Sequence, residues 1–174
     1  MITGNPYMQK PIEQLINGQL RYIPNKVSPT HSTIRVNLWS KFKEIFQTTN
    51  YTALPHMDIS FERGVNKFAP DISIVDYPSK ITSDVYYGIP TLVVEILSPI
   101  NECTKIDIYT NYGVDEYWEI DPKTETIKQF VLTDEQFNLV NTVSNSENEA
   151  SISPSFCENE SIFLKDIFLY PWSE

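Results

Sequence analysis

The feature that most constrains this chain is a nearly continuous apolar run, Thr91-Leu92-Val93-Val94-Glu95-Ile96-Leu97. Such a run predicts a central β-strand that is buried on both faces, because a strand with one solvated face alternates polar and apolar residues. Glu95 is the only charged residue in the run. Burial of a carboxylate is unfavourable unless it is paired or binds a metal ion, so Glu95 is the first candidate functional residue.

Helix and strand patterns surround this central strand. The clearest helix follows Ser28-Pro29-Thr30, which offers capping groups, and has an apolar stripe at i, i+4 spacing. A second helix is predicted over residues 105–112, stopped by Gly113, and a short one over residues 10–16. Alternating patterns predict strands over residues 19–23, 58–62, 71–75, 116–121 and 126–132, and the Ser, Asn and Glu content of 141–154 predicts a long exposed loop.

The chain of 174 residues has the length of one ordinary domain, and it shows no internal repeat. Strands in the middle, a long helix before them and a shorter helix after the central strand predict a single α/β domain over residues 1–174. The apolar residues Ile162, Leu164, Ile167 and Phe168 are expected to close its core.

Charge and targeting signals limit the classes of function. The net charge is −10, which argues against a nucleic-acid coat protein or a membrane-surface binder. Residues 1–67 nevertheless hold eight Lys or Arg against four Asp or Glu, so this part could still meet a phosphate backbone. No apolar run is long enough to span a bilayer, and no signal peptide is recognisable. We therefore expect a cytoplasmic protein with no membrane partner.

Two further classes of site are disfavoured. Cys103 and Cys157 have no CxxC spacing and no nearby His, so they are expected to be reduced thiols without zinc. With five Gly in the chain there is no Gly-rich phosphate loop, so a nucleotide cofactor is not expected.

A second acid, Asp71, opens an earlier strand directly after Pro70. If this strand pairs with the central one, Asp71 and Glu95 can converge at one end of the sheet. Two carboxylates, a main-chain carbonyl and waters form a hard oxygen site suited to Mg²⁺ or Mn²⁺. The alternative is that Glu95 faces solvent at a strand end and Asp71 only caps a turn.

Lys105 begins the helix that follows the Glu95 strand. A strand–loop–helix unit returns the start of the helix to the carboxyl end of the strand, which would bring Lys105 near the two acids. An acid pair, a divalent cation and an ammonium group together suit hydrolysis of a phosphodiester. The alternative is an ordinary solvated surface lysine.

Several blocks of this sequence resemble the Uma-two-type restriction endonuclease family of the PD-(D/E)XK nuclease superfamily. They are Pro70-Asp71, Val94-Glu95-Ile96-Leu97-Ser98-Pro99, Lys105 with Tyr109, and the specific string from Gly113 to Pro122. The N-terminal part is also similar, at residues 14–20, at Ser28-Pro29 and at His31. The resemblance covers about residues 10–170 and implies a restriction-endonuclease-like core, a mixed β-sheet flanked by helices.

The resemblance also implies a DNA endonuclease that uses Mg²⁺ or Mn²⁺. Asp71, Glu95 and Lys105 match its catalytic residues, with the Ile96 carbonyl as a further metal ligand. Lys105 replaces the lysine that the superfamily pattern puts two residues after the second acid, where this chain has Leu97. Gln14, His31 and Tyr109 are expected to line the site, Arg35, Lys41 and Lys43 to offer a local basic surface for DNA, and the protein to act as a homodimer.

Two departures from the family pattern leave alternative functions open. The family commonly has a glutamate where this chain has Gln14, and residues 100–104 lack the basic and acidic residues usual before the lysine. A catalytically silent nucleic-acid-binding or protein-interaction module is therefore one alternative. A structural subunit of a larger defence or mobile-element complex is another.

Overall fold

The computed structural model describes residues 11–24, 28–76, 78–98, 105–157 and 159–172. Within them one sheet has five strands, in the order β2-β1-β5-β4-β7. Their bounds are β1 Ile12–Ile16, β2 Gln19–Ile23, β4 Asp58–Glu62, β5 Asn66–Phe68 and β7 Val85–Tyr87. Neighbouring strands of this sheet are antiparallel except for the parallel pair β4 and β7.

The second sheet has six strands, in the order β11-β10-β9-β8-β6-β3. Their bounds are β3 Thr52–Pro55, β6 Ile72–Val75, β8 Leu92–Ile96, β9 Glu116–Asp121, β10 Thr126–Thr133 and β11 Gln136–Ser144. Strand β8 lies inside this sheet, antiparallel to β6 and parallel to β9. A small pair of strands, β12 Ser151–Ile152 and β13 Ile162–Phe163, follows near the C-terminus.

Strand β8 separates two regions of the core. Leu92, Val94 and Ile96 pack on one side with residues of α1 (Pro29–Ile45) and α3 (Leu164–Ile167). Val93 packs on the other side with residues of α2 (Ile106–Tyr112) and of the first sheet. Burial of both faces explains the continuous apolar run and confirms the predicted α/β architecture. None of the helices in the described ranges has the length and apolar character needed to cross a membrane.

Helix α1 begins where the sequence predicted. The Ser28 side chain accepts a hydrogen bond from the His31 N–H at 3.1 Å, and Pro29 occupies the first turn, where its missing N–H is not needed. The buried face of the helix consists of His31, Ile34, Leu38 and Phe42. His31 therefore extends the apolar stripe by one turn and is directed toward the sheet.

Helix α2 ends at Gly113, as predicted, because Gly113 adopts a left-handed conformation with φ 72°. Its buried residues Ile108 and Tyr109 pack on the side of the sheet where Val93 lies. Lys105 stands at the N-cap position of this helix. The connection 99–104, which includes the short loop noted in the sequence, lies outside the described residues, as does Cys103.

Two sequence predictions were wrong. The short helix expected over residues 10–16 is strand β1, which pairs with β2 through a turn at Asn17 and Gly18, both with positive φ; Lys10 lies outside the described residues. The loop expected over 141–154 begins with the end of β11 and contains β12. Strand β11 is an edge strand with mostly exposed side chains, so its polar composition resembles that of a loop.

The C-terminal residues Ile162, Leu164, Ile167 and Phe168 are buried, as predicted.

Candidate active site

The two candidate acids lie at adjoining strand ends. Ile72 of β6 pairs with Val94 of β8, so the preceding Asp71 and the following Glu95 lie at adjoining strand ends. The negative charge of Asp71 is one of the factors that raise the pKa of Glu95, which is a further sign that the carboxylates are close. The strand pairing anticipated from the sequence thus brings the two acids together.

Three groups contact the Asp71 carboxylate. The Ile96 N–H donates to Oδ2 at 2.9 Å, and His31 Nε2 lies 3.2 Å from the same oxygen. Arg35 Nη1 lies 3.6 Å from Oδ1. Burial alone would raise the pKa of Asp71, but the His31 contact, the Ile96 N–H and the Arg35 charge together lower it. Asp71 is thereby held as an anion in a buried position.

The Glu95 carboxylate is held from helix α2. Lys105 Nζ lies 3.1 Å from Oε1, and the Tyr109 hydroxyl donates a short hydrogen bond to the same oxygen. These two residues are one helical turn apart, which gives them a common face of the helix. Burial raises the pKa of Glu95, and the Lys105 charge opposes that shift. The two hydrogen bonds that described side chains donate to Glu95 are therefore both accepted by Oε1.

Lys105 is far from an ordinary surface lysine. Its side chain is 8% exposed, and Nζ lies 4.9 Å from the centre of the Phe68 ring. A desolvated ammonium over an aromatic face is stabilised by the ring quadrupole. Leu97, which occupies the position of the usual superfamily lysine, is 42% exposed. Lys105, rather than a residue of β8 itself, is therefore the ammonium group at Glu95.

Gln14 lies on the buried side of strand β1. It shares that side with Ile16, which packs in the same cluster as Phe68 and Tyr109. The register of β1 against β5, with Leu15 opposite Lys67, puts Gln14 beside Phe68. Its Oε1 is buried and has no hydrogen-bond partner among the described residues. An unsatisfied buried oxygen is unfavourable, so this acceptor is suited to a ligand or water.

These residues fit a magnesium-type ion. Mg²⁺ keeps several waters and is commonly held by one or two carboxylates together with substrate phosphate oxygens. Asp71 and Glu95 would supply the carboxylates, and Gln14 Oε1 is a buried amide oxygen without a hydrogen-bond partner among the described residues. Within the described residues no cluster of three or more His, Cys, Asp or Glu side chains could hold a metal ion. A bound ion would therefore rely on waters and on substrate oxygens. The role of the Ile96 carbonyl stays a prediction.

The three basic residues expected to form one DNA-binding surface lie in different surroundings. Arg35 faces Asp71 in the candidate site. Lys41 pairs with Asp166 at 3.0 Å and Glu44 at 3.5 Å, and Lys43 lies over the Trp39 ring. The last two therefore lie along α1, beyond the acid pair. Their contact with DNA stays a prediction.

Two residues near the site were not singled out from the sequence. His56 is in the turn between β3 and β4, where its N–H donates to the Asp71 carbonyl at 3.0 Å. Burial lowers the pKa of His56, and the charge of Arg35 adds to that shift. Glu119 of β9 is paired in register with Glu95 and is bound by Lys128 at 3.0 Å. Glu119 could have been identified from the sequence as a charged residue inside a predicted strand. No sequence pattern identified His56 as a candidate site residue.

The Tyr109 hydroxyl offers a test of how Glu95 is held. Replacement of Tyr109 by Phe keeps the ring contacts with Phe61, Phe68 and Tyr117 but removes the donor to Glu95. A hydrogen bond to a charged group contributes about 1.5–3 kcal/mol, so we expect the free energy of unfolding to fall by about that amount in urea denaturation.

Tyr112→Phe is the matched control. Its hydroxyl also donates to a carboxylate, that of Glu62, at 2.7 Å in a contact exposed to solvent, and it accepts from Asn66 Nδ2 at 3.0 Å. We expect a change of about 1 kcal/mol, below that of Tyr109→Phe, because Asn66 loses a neutral partner and the contact with Glu62 is exposed. Equal losses in the two variants would show that the buried contact to Glu95 has no special importance for stability.

Comparisons with known proteins identify a family and a similar fold. The family model Uma2, described as "Putative restriction endonuclease", matches residues 8–160. A solved structure described as "a putative nuclease belonging to DUF820", from Anabaena variabilis, matches with a TM-score of 0.72 and 23% sequence identity, covering 91% of this chain and 90% of that chain. No functionally curated protein matches. The structural match confirms the restriction-endonuclease-like fold, and the family match confirms the resemblance inferred from the sequence.

Proposed function

Because the chain belongs to the Uma2 family of restriction-endonuclease-type proteins, we propose that it is a metal-dependent endonuclease that hydrolyses DNA phosphodiester bonds. The observation that carries this proposal is the grouping of Asp71, Glu95 and Lys105. Two acids lie at adjoining strand ends, and a buried ammonium lies 3.1 Å from one of them. This combination suits a reaction in which negative charge builds up on a phosphate.

In this proposal Asp71 and Glu95 hold Mg²⁺ or Mn²⁺, with Ile96 and Gln14 as further oxygen donors. When bound, the ion supplies activation of a water molecule and neutralisation of phosphate charge. Lys105 stabilises the charge that develops on the phosphate oxygens. The ammonium is already fixed by Glu95 and Phe68, so little reorganisation is needed when substrate arrives.

Three neighbours keep the acids in place. His31 is fixed at the start of α1 and contacts Asp71 Oδ2, which orients the carboxylate and leaves Oδ1 to the longer contact with Arg35. Tyr109 and Lys105 both engage Glu95 Oε1, so in this proposal Oε2 is the oxygen that binds the ion. In this proposal each carboxylate has one oxygen held by the protein, Asp71 Oδ2 and Glu95 Oε1, and binds the ion through the other oxygen.

The proposed substrate is DNA. With a net charge of −10, affinity has to come from local basic groups, so binding should weaken as salt increases. Cutting both strands of a duplex calls for two active sites, and we therefore include a homodimer in the proposal. The assembly is measurable by light scattering with and without duplex DNA.

The experiment that tests the proposal is cleavage of supercoiled plasmid and of single-stranded DNA circles by the purified wild-type protein. We expect cleavage with Mg²⁺ or Mn²⁺ and none with EDTA, because Asp71 and Glu95 act through a bound ion. Parallel reactions with RNA define the substrate class. Cleavage that persists in EDTA would contradict the metal-dependent mechanism.

A catalytically silent module is the second candidate, and Gln14 is the observation that favours it. An amide provides an oxygen but no negative charge, so the site has one acid fewer than the family pattern. Gln14→Glu separates the two candidates. Equal or higher cleavage than an active wild type fits an enzyme, whereas an inactive wild type with an active Gln14→Glu variant fits a silent module.

A further inference from the structure

The negative charges of the candidate site are already balanced by side chains of the chain itself. Asp71 contacts Arg35, and Glu95 contacts Lys105. These two permanent cations offset the formal charge of the two acids. A divalent ion that approaches the free protein therefore meets no net attraction from these four groups, although affinity for such ions depends strongly on the charge of the ligand set.

The two cations are held very differently. Lys105 makes a 3.1 Å hydrogen bond to Glu95, is 8% exposed and lies over Phe68. Arg35 Nη1 lies 3.6 Å from Asp71 Oδ1, beyond the range of a good hydrogen bond, and its side chain is 19% exposed. Arg35 is thus the cation that can leave its acid at the smaller loss of contacts.

The oxygen that Arg35 faces is also the one best placed for a metal ion. Oδ2 of Asp71 is engaged by the Ile96 N–H and by His31, whereas among the described residues Oδ1 has only the long contact with Arg35. A guanidinium group binds a phosphate through two parallel hydrogen bonds, which is a better match than one long contact to a carboxylate. A phosphodiester at the site would therefore attract Arg35 away from Oδ1.

We infer that Arg35 is a positioning residue that competes with the divalent ion for Asp71 Oδ1 and transfers to the substrate phosphate when both ligands bind. This inference rests on the proposed function, in which Asp71 is a metal ligand. Its consequence is that the ion and the phosphodiester each strengthen the binding of the other, because coupling between two ligands is reciprocal. The protein without DNA then holds the ion weakly.

The test is a titration with Mn²⁺ in which the free ion is measured by electron paramagnetic resonance. The phosphodiester probe is the dinucleotide thymidylyl-thymidine, and its own binding of Mn²⁺ is measured without protein and subtracted. We expect saturating dinucleotide to tighten Mn²⁺ binding to the wild type about tenfold, within the usual range of such couplings. Arg35→Met should bind Mn²⁺ about tenfold more tightly without dinucleotide and lose most of the coupling.

Two variants control for charge. Arg35→Lys keeps a cation, so its Mn²⁺ affinity without dinucleotide should stay within about twofold of the wild type. If the tighter binding in Arg35→Met came from altered packing and not from the lost charge, Arg35→Lys would change the Mn²⁺ affinity as well. Lys165→Met removes an exposed cation of α3 that lies over the Phe163 ring, so its Mn²⁺ affinity should be unchanged.

The outcomes separate this inference from the proposed function. Unchanged or weaker Mn²⁺ binding in Arg35→Met, or no effect of dinucleotide on the wild type, would overturn the role of Arg35. If Glu95→Gln loses Mn²⁺ binding in the same series, the proposed metal site is supported whatever the result for Arg35. If Glu95→Gln binds Mn²⁺ like the wild type, the proposed metal site itself is wrong. The coupling measured in the wild type tests the inference even if Arg35→Met does not fold.

Discussion

Replacement of Lys105 by Met is expected to lower the rate of DNA cleavage about 10²–10³-fold while Mn²⁺ binding is retained, the loss typical of one well-placed electrostatic group. The ammonium lies 3.1 Å from Glu95 and is desolvated against Phe68, so its charge acts in a medium where water cannot replace it. Methionine keeps most of the apolar stem and removes only the charge. Single-turnover cleavage at saturating Mn²⁺ measures the effect on the chemical step.

Lys165→Met is the matched control for this experiment. Lys165 also lies over a phenylalanine ring, that of Phe163, at 5.1 Å from its centre, but it belongs to α3 and its side chain is exposed. The variant should cleave DNA at the wild-type rate. Undiminished turnover in Lys105→Met would remove Lys105 from the mechanism, and a loss of Mn²⁺ binding in that variant would make its role one of maintaining the metal site.

The elements with a strong periodic signal could be predicted from the sequence. Strand β8 is buried on both faces, which makes it a continuous apolar run, and α1 combines a Ser-Pro start with a stripe that packs on the sheet. Strand β1 was mistaken for a helix because the register with its neighbours, which no local pattern contains, decides its conformation. The end of strand β11 was mistaken for part of a loop because exposed edge strands carry polar residues on both sides.

The candidate site was only partly accessible from the sequence. Glu95 could be found because a charge in an apolar run needs an explanation, and Lys105 because of its place after the central strand. Arg35 was assigned to an outer basic surface because it lies off the apolar stripe of α1. The structure has the start of α1 over the strand ends, so that His31 and Arg35 both meet Asp71. Contacts of this kind depend on tertiary packing and not on spacing in the chain.

The contacts of Glu116 also depend on tertiary packing and could not be predicted from the sequence. Glu116 is a fully buried acid that takes no part in the candidate site. Its Oε1 accepts hydrogen bonds from Trp118 Nε1 and Gln129 Nε2, and its Oε2 accepts from the N–H and hydroxyl of Ser155. Four donors satisfy the buried carboxylate, although none of them is charged. The arrangement connects β9 and β10 to the chain that follows β12, which covers this part of the sheet.

Glu116→Ala is therefore expected to lower the free energy of unfolding by about 3–5 kcal/mol, because each buried donor left without an acceptor costs about 1–3 kcal/mol and water can reach those near Ser155. Urea denaturation followed by tryptophan fluorescence measures the loss. Ser155→Ala removes one donor and leaves the carboxylate with three, so its cost should be about 1 kcal/mol.

Glu116→Gln makes the test sharper, because it keeps Oε1 for Trp118 and Gln129 and gives Ser155 an amide N–H₂ in place of an acceptor. Its loss should lie between those of Ser155→Ala and Glu116→Ala. Equal stability of Glu116→Ala and the wild type would mean that the carboxylate is not an essential support of this layer. If Glu116→Gln folds as expected but loses cleavage at saturating Mn²⁺, Glu116 would act on the active site as well, through the strand it shares with Glu119.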